Sequence, residues 1–210
     1  MPEETAVARI RELGYGPEDV THVVLTHLDF DHIGGLADFP HAVVHTTALE
    51  HHAAVAEPDE AAKFRYRSQQ WEHGPQWSLY DKPGEPWLGF ADALRVDGLD
   101  DRFALVPMPG HTRGHAAVVI RVSDDRLLVH AGDAFFDGSS VGLADHTGQA
   151  LEHNPGLRMG EEQAAMEPSA LAANHQRLAN LVKNPAVQVI NAHDPRVLAS
   201  AVAAGPSGGS

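Results

Sequence analysis

The chain of 210 residues contains no cysteine. Disulfides and thiolate ligands are thereby excluded, so any bound metal must be held by nitrogen and oxygen donors. It also lacks any apolar run near the roughly 18 residues of a membrane span, and its N-terminus lacks the basic-then-apolar order of a signal peptide. Positive charge is scarce: 15 Lys and Arg stand against 29 Asp and Glu, a formal net charge of −14. Nucleic acid and anionic membrane surfaces both need clustered positive charge, so neither is expected as a partner. Broad steering of anionic substrates is excluded for the same reason. There is no internal repeat, and a cytoplasmic location is the expectation these absences leave.

What is abundant is histidine, with 15 residues, as many as Lys and Arg combined. The apolar content of 43 % and charged content of 21 % are ordinary for a globular protein. The length suits a single domain, expected over residues 1–204, followed by a flexible Gly-Pro-Ser-Gly-Gly-Ser tail at 205–210.

The start, Pro2 to Leu13, reads as a short amphipathic helix with acidic residues in its first turn and Gly14 as its stop. Val23-Val24-Leu25 and Ala42-Val43-Val44 read as short strands, and Ala48 to about Ala56 and Glu60 to about Glu72 as helices. From Gly74 to Gly89 the prolines, glycines and aromatics predict a long irregular excursion. All three tryptophans fall between positions 71 and 87, and residues 50–95 are a candidate active-site cap. Phe103–Val106, Ala117–Ile120 and Leu127–Val129 are three further strands, Pro168 to Lys183 a helix, and Val187–Ile190 a last strand.

Residues able to ligate metal recur at one kind of place, just after an apolar strand. His27, Asp29, Asp31 and His32 follow Val23–Leu25. His111 follows Phe103–Val106, Asp133 follows Leu127–Val129, and His193 follows Val187–Ile190. In α/β proteins such loops gather along one sheet edge. Seven oxygen and nitrogen donors are roughly what two divalent ions sharing a carboxylate require. Glycines at 34–35, 110, 114 and 132 permit tight turns beside three of the four clusters.

The segment Thr26-His27-Leu28-Asp29-Phe30-Asp31-His32-Ile33-Gly34-Gly35 resembles the His-X-His-X-Asp-His signature of the metallo-β-lactamase superfamily. Pro109–His115 is similar to that family's Gly-His-Thr-X-Gly-His segment, Leu128–Asp133 to its strand ending in Gly-Asp, and Asn191-Ala192-His193 to its final histidine. The matches keep the family's order over about residues 20–195. The resemblance implies an α/β fold of the αββα sandwich type, with His27, Asp29 and His111 on a first metal. It implies Asp31, His32 and His193 on a second, and Asp133 bridging both. It further implies two divalent ions, zinc first and iron or manganese as alternatives, and a metal-bridging hydroxide attacking a small ester, lactone, thioester or amide. Asp31 would orient that nucleophile or carry its proton, and His115 would hydrogen-bond to the loop. The histidines at 22, 41, 45, 51, 52, 73, 130, 146, 153 and 175 match no ligand position and read as surface or packing.

Two departures qualify the resemblance. Asp29 stands where most members have a second histidine, which adds negative charge and hard-oxygen character. The oxygen-reducing diiron branch also carries an acidic residue there, but with an attached flavodoxin-like domain. Only 26 residues precede His27, so the fold's usual N-terminal strands are expected to be lacking. The exposed edge this would leave predicts a homo-oligomer. Lactonases of the family place a Tyr between the bridging Asp and the last His, whereas this chain has no Tyr after Tyr80. The alternative functions are a degenerate, non-catalytic member and, further off, a diiron redox protein.

Overall fold

The structure, a computed structural model, describes residues 5–56 and 62–204. The chain divides into two compact units, residues 1–82 and 83–210. Among the described residues there are nine strands and five α-helices. No helix among them is long and apolar enough to cross a membrane.

In the first unit, α1 (Ala6–Glu12) starts at Thr5, whose hydroxyl accepts from the Ala8 N–H at 3.3 Å. The acidic pair Glu3-Glu4 precedes this cap, so no acidic residue occupies the first turn, and none of the helix's residues is fully buried. Three parallel strands follow, β1 (His22–Val24), β2 (Val43–Thr47) and β3 (Gln76–Tyr80), with β2 in the middle. The central strand is the most buried, as β-branched residues between two partners should be. Thr47 caps α2 (Ala48–His51) by accepting from the Glu50 N–H, and a wider helical turn continues to Ala56. The core of this unit is Leu25, Leu28, Ile33, Leu36, Val44, Ala54, Ala62 and Tyr66.

Two expectations fail here. The helix over 60–72 is absent: its described part forms two separate tight turns, Ala62–Phe64 and Ser68–Trp71. Residues 60 and 61 lie outside the described residues. The Arg65 carbonyl accepts from the Phe30 N–H at 3.1 Å, and Arg67 is extended, so tertiary bonding overrides helical propensity. The irregular excursion over 74–89 instead holds β3 and, in the second unit, β4 (Glu85–Trp87). Pro75 and Pro83 flank β3 rather than interrupt it, which is where a strand tolerates proline.

In the second unit β4, β5 (Phe90–Arg95), β6 (Phe103–Pro107), β7 (Ala116–Ser123) and β8 (Arg126–His130) form an antiparallel meander. The β4–β5 hairpin turns on Leu88 (φ 47°) and Gly89 (φ 88°), two residues between paired Trp87 and Phe90. Two successive positive φ values match the right-handed twist of the strands. The chain then runs through α3 (Pro155–Ala164) and α4 (Pro168–Leu181) before β9 (Val187–Ile190) joins β8 in parallel, and α5 (Pro195–Ala204) follows. Leu171, Asn174, His175 and Leu178 form one buried face of α4 at helical spacing. Ala104, Val106, Met108, Ala117, Val119, Val129, Phe135, Leu178 and Val189 are central to the core. Each large apolar side chain fully buried there is worth roughly 1.5–3 kcal/mol.

Candidate metal centre

Each unit presents its own group of the anticipated ligands. In the first unit, apolar Leu28 and Ile33 are drawn into the core, which fixes the polar residues of the motif between them. His27 is wholly buried, its Nδ1 3.0 Å from the Thr26 hydroxyl and its Nε2 3.5 Å from Asp29 Oδ2. The His32 ring lies 4.2 Å from that of His27, centroid to centroid, and its Nε2 is 3.6 Å from Asp31 Oδ2. Asp31 is the most exposed of the four, with 45 % of its side chain accessible.

Two residues that sequence reasoning missed hold this loop. Glu50, fully buried, accepts from the Leu28 N–H (2.9 Å) and the Tyr66 hydroxyl (3.3 Å) on one oxygen. Burial and the neighbouring Glu50 carboxylate push the Tyr66 phenol well above its ordinary range, so it stays a neutral donor. Arg65 places Nη1 3.4 Å from Asp29 Oδ2. The negative charge of Asp29 is therefore met by a guanidinium 36 residues further along the chain. No local pattern announces either partner, since both act across sequence separations of twenty residues or more.

In the second unit the donors converge on Asp133. Its Oδ2 lies 2.9 Å from His193 Nε2 and 3.2 Å from His111 Nε2, and the Asp133 side chain is almost wholly buried. The Asp133 N–H donates to His115 Nε2 at 3.0 Å, which leaves the proton on Nδ1 to be donated to the Met108 carbonyl at 3.1 Å. His115 is thus a neutral imidazole that ties the Asp133 loop to the end of β6. Gly110, at φ 145°, lies so close to α4 that a Cβ would come within 2.6 Å of the Leu171 backbone. Glu167 and Met166 donate their N–H groups to the carbonyls of Gly110 and His111, which anchors the His111 loop. The Phe136 ring packs against both His111 (5.6 Å) and His193 (4.2 Å).

Other histidines serve packing or hydrogen bonding. His45, buried on β2, links His22 (2.8 Å) to Tyr80 (2.8 Å), and His51 meets the edge of Trp77. His175 lies 3.3 Å from the buried Glu161 carboxylate, which accepts the Phe136 N–H at 2.7 Å. The donor set in both groups consists of imidazole nitrogens and carboxylate oxygens, brought within 2.9–3.6 Å of one another. Such clusters fit a divalent cation of intermediate hardness.

Comparison with known proteins finds a probable metallo-hydrolase among the relatives. The chain is 41 % identical over 198 residues to a probable metallo-hydrolase of Mycobacterium tuberculosis, covering 93 % of this chain and 61 % of that protein. It is 28 % identical over 198 residues to the N-acyl homoserine lactonase AttM of Azorhizobium caulinodans, covering 92 % and 65 %. Its fold is similar to that of an N-acyl homoserine lactone hydrolase with N-hexanoyl-L-homoserine bound at its metal centre. The TM-score is 0.61 at 19 % identity, over 91 % of this chain and 63 % of that one. The chain therefore spans a little over three-fifths of the length of these relatives. The family's sequence model covers residues 1–175, most of the chain and both histidine motifs, and the chain belongs to the metallo-beta-lactamase superfamily.

Proposed function

We propose that this chain is a metal-dependent hydrolase of small esters, lactones, thioesters or amides. The observation that carries the reading is the Asp133 carboxylate with two imidazole nitrogens on one oxygen, at 2.9 and 3.2 Å. His27, Asp29 and His111 would hold one divalent ion and Asp31, His32 and His193 a second, with Asp133 shared. Zinc is the first candidate, since a dizinc lactonase is among the proteins of similar fold (TM-score 0.59). Bound ions would acidify water and polarise the substrate carbonyl.

The remaining steps belong to the chain. Asp31, half-exposed beside His32, would accept the proton of the attacking water on Oδ1 or Oδ2 and return it to the leaving oxygen, sulfur or nitrogen. His115 keeps Asp133 oriented by accepting its N–H. The partly exposed Phe136 ring, packed on His111 and His193, offers an apolar surface to an acyl group but no hydroxyl to hold an oxyanion. Lactones are therefore expected to turn over without help from a tyrosine at this place.

The test is metal analysis of the purified chain followed by a chromogenic ester and lactone panel. Near two equivalents of metal, with turnover abolished in His111→Ala, supports the reading; full metal loading with no turnover on the panel counts against it. One observation favours a second reading, a member that keeps the fold but binds its first ion weakly. Arg65 stands 3.4 Å from Asp29 Oδ2 and competes with a cation for that oxygen. About one equivalent of metal in the purified chain, rising to two in Arg65→Gln, is the outcome that reading requires.

A further inference from the structure

Three ties join the two loops that carry Asp133 and His193, all within residues 83–210. The Ala192 N–H donates to the Gly132 carbonyl at 3.0 Å. The Asn191 amide donates to the carbonyls of Phe135 and Phe136 at 2.9 and 3.2 Å. The Gly138 N–H donates to Asp194 Oδ2 at 2.9 Å, in a position so tight that a Cβ on Gly138 would meet Leu151 and Val197 at 2.8 Å.

Asp194, next to His193, is itself gripped by Arg196. Nε donates to Oδ1 at 2.9 Å and Nη2 to Oδ2 at 2.7 Å, a two-pronged match of guanidinium to carboxylate. The same Nη2 reaches Asp137 Oδ1 at 2.9 Å, and Nη1 reaches the Glu152 carbonyl at 2.7 Å. The side chains of Asp137 and Asp194 are both fully buried. Two buried carboxylates around one guanidinium are an expensive way merely to begin a helix. Asp194 alone already receives the Arg196 N–H at 3.0 Å, as a helix start requires.

We propose that Arg196 is a positioning residue for His193. Its fork on Asp194 and its arm on Asp137 clamp loop 191–194 onto loop 132–138. The clamp sets the 2.9 Å separation of His193 Nε2 from Asp133 Oδ2. The inference rests on the metal-hydrolase reading above and deepens it, by naming what holds one ligand pair ready.

Arg196→Lys keeps the charge but loses the fork, and Asp194→Asn keeps the shape but loses the charge. Metal-free protein is titrated with cobalt(II), followed by its visible absorption. The wild type is expected to take two equivalents. Both variants lose affinity for one of them by ten- to a hundredfold, and hold the other within twofold. His153→Ala, which removes only an exposed partner 3.0 Å from Asp137, leaves both affinities unchanged. If Arg196→Lys and Asp194→Asn keep both affinities within twofold while their melting temperatures fall, the clamp is structural only and the inference is overturned. If the wild type takes up no cobalt, the metal-hydrolase reading fails by itself. Imidazole nitrogen–proton spectra of the metal-free protein then decide the inference. A hydrogen bond from His193 Nε2–H, present in the wild type and lost in both variants, supports it; an unchanged signal overturns it.

Discussion

At the scale of single residues, side chains with no obvious chemistry fix those that have it. Gly110 shows how narrow the tolerance is. A methyl group there would meet the Leu171 backbone at 2.6 Å, and φ of 145° disfavours any side chain. Gly110→Ala is expected to cost about 3 kcal/mol, read as a lower urea midpoint at unchanged slope. Asp137 gives a pH-dependent test. Burial alone would raise its carboxyl. The N–H groups of Asn154 and Ser139, the Ser139 hydroxyl and the Arg196 guanidinium outweigh that and hold it below the usual carboxylate range. A carboxyl lowered on folding contributes stability that is complete above the unfolded value of about 4 and is lost as pH falls through the folded value. Asp137→Asn should therefore be less stable than the wild type at pH 7, and the gap in melting temperature should narrow steadily below about pH 4. A gap that stays constant from pH 7 to pH 2 would show that the charge of Asp137 contributes nothing. The seven residues proposed as ligands stand out in the sequence because they lie in short runs beside glycines and strand ends. Arg65, Glu50 and Arg196 do not, because arginine and glutamate are common surface residues and their partners are set by the fold.

At the scale of elements, apolar runs mark β1, β2, β6, β7, β8, β9 and α4, while β5, α3 and α5 are not among the elements the sequence predicts. Of the α3 residues only Glu161 is fully buried, so no apolar stripe marks it. The signal that was present is Asn154-Pro155, a cap whose side chain accepts from the Gly156 and Leu157 N–H groups, followed by proline at the first helical position. Asp194-Pro195 marks α5 in the same manner. β3 and β4 were obscured by the prolines around them. The β4–β5 hairpin carries a local conflict. Leu88 is the only described non-glycine residue at positive φ, in a turn that prefers Asn or Gly. Leu88→Asn should raise stability by about 1 kcal/mol, measured as a shift of a few degrees in thermal melting with activity unchanged. A fall in melting temperature would mean that the Leu88 side chain, 41 % exposed, has a contact worth more than the strain.

At the scale of the whole molecule, metal and folding should be linked. Ions that bind only the folded chain stabilise it by about 2.7 kcal/mol at a concentration of a hundred times Kd. Adding zinc to metal-free protein is expected to raise the melting temperature, and a chelator to reverse the change. Identical melting curves with and without zinc would argue against a resident ion. Leu198 and Val202, one turn apart on α5, are 57 % and 71 % exposed. If these two side chains join copies of the chain, light scattering will give a mass above 22.5 kDa that falls when both are replaced by Lys. A stable monomer in the unaltered chain sinks that expectation.

The parallel pairing of β9 with β8 has a consequence in time as well as in space. β8 ends at His130, yet its neighbour is not made until residues 187–190, after α3 and α4. During synthesis the Asp133 loop must therefore wait, with His111 already beside it, until β9 emerges and delivers His193. Contacts between distant parts of a chain form slowly. If His193 helps to hold the second proposed ion, the capacity to bind it should thus appear only after residues 187–190 have emerged, and metal uptake should follow the pairing of β9 with β8.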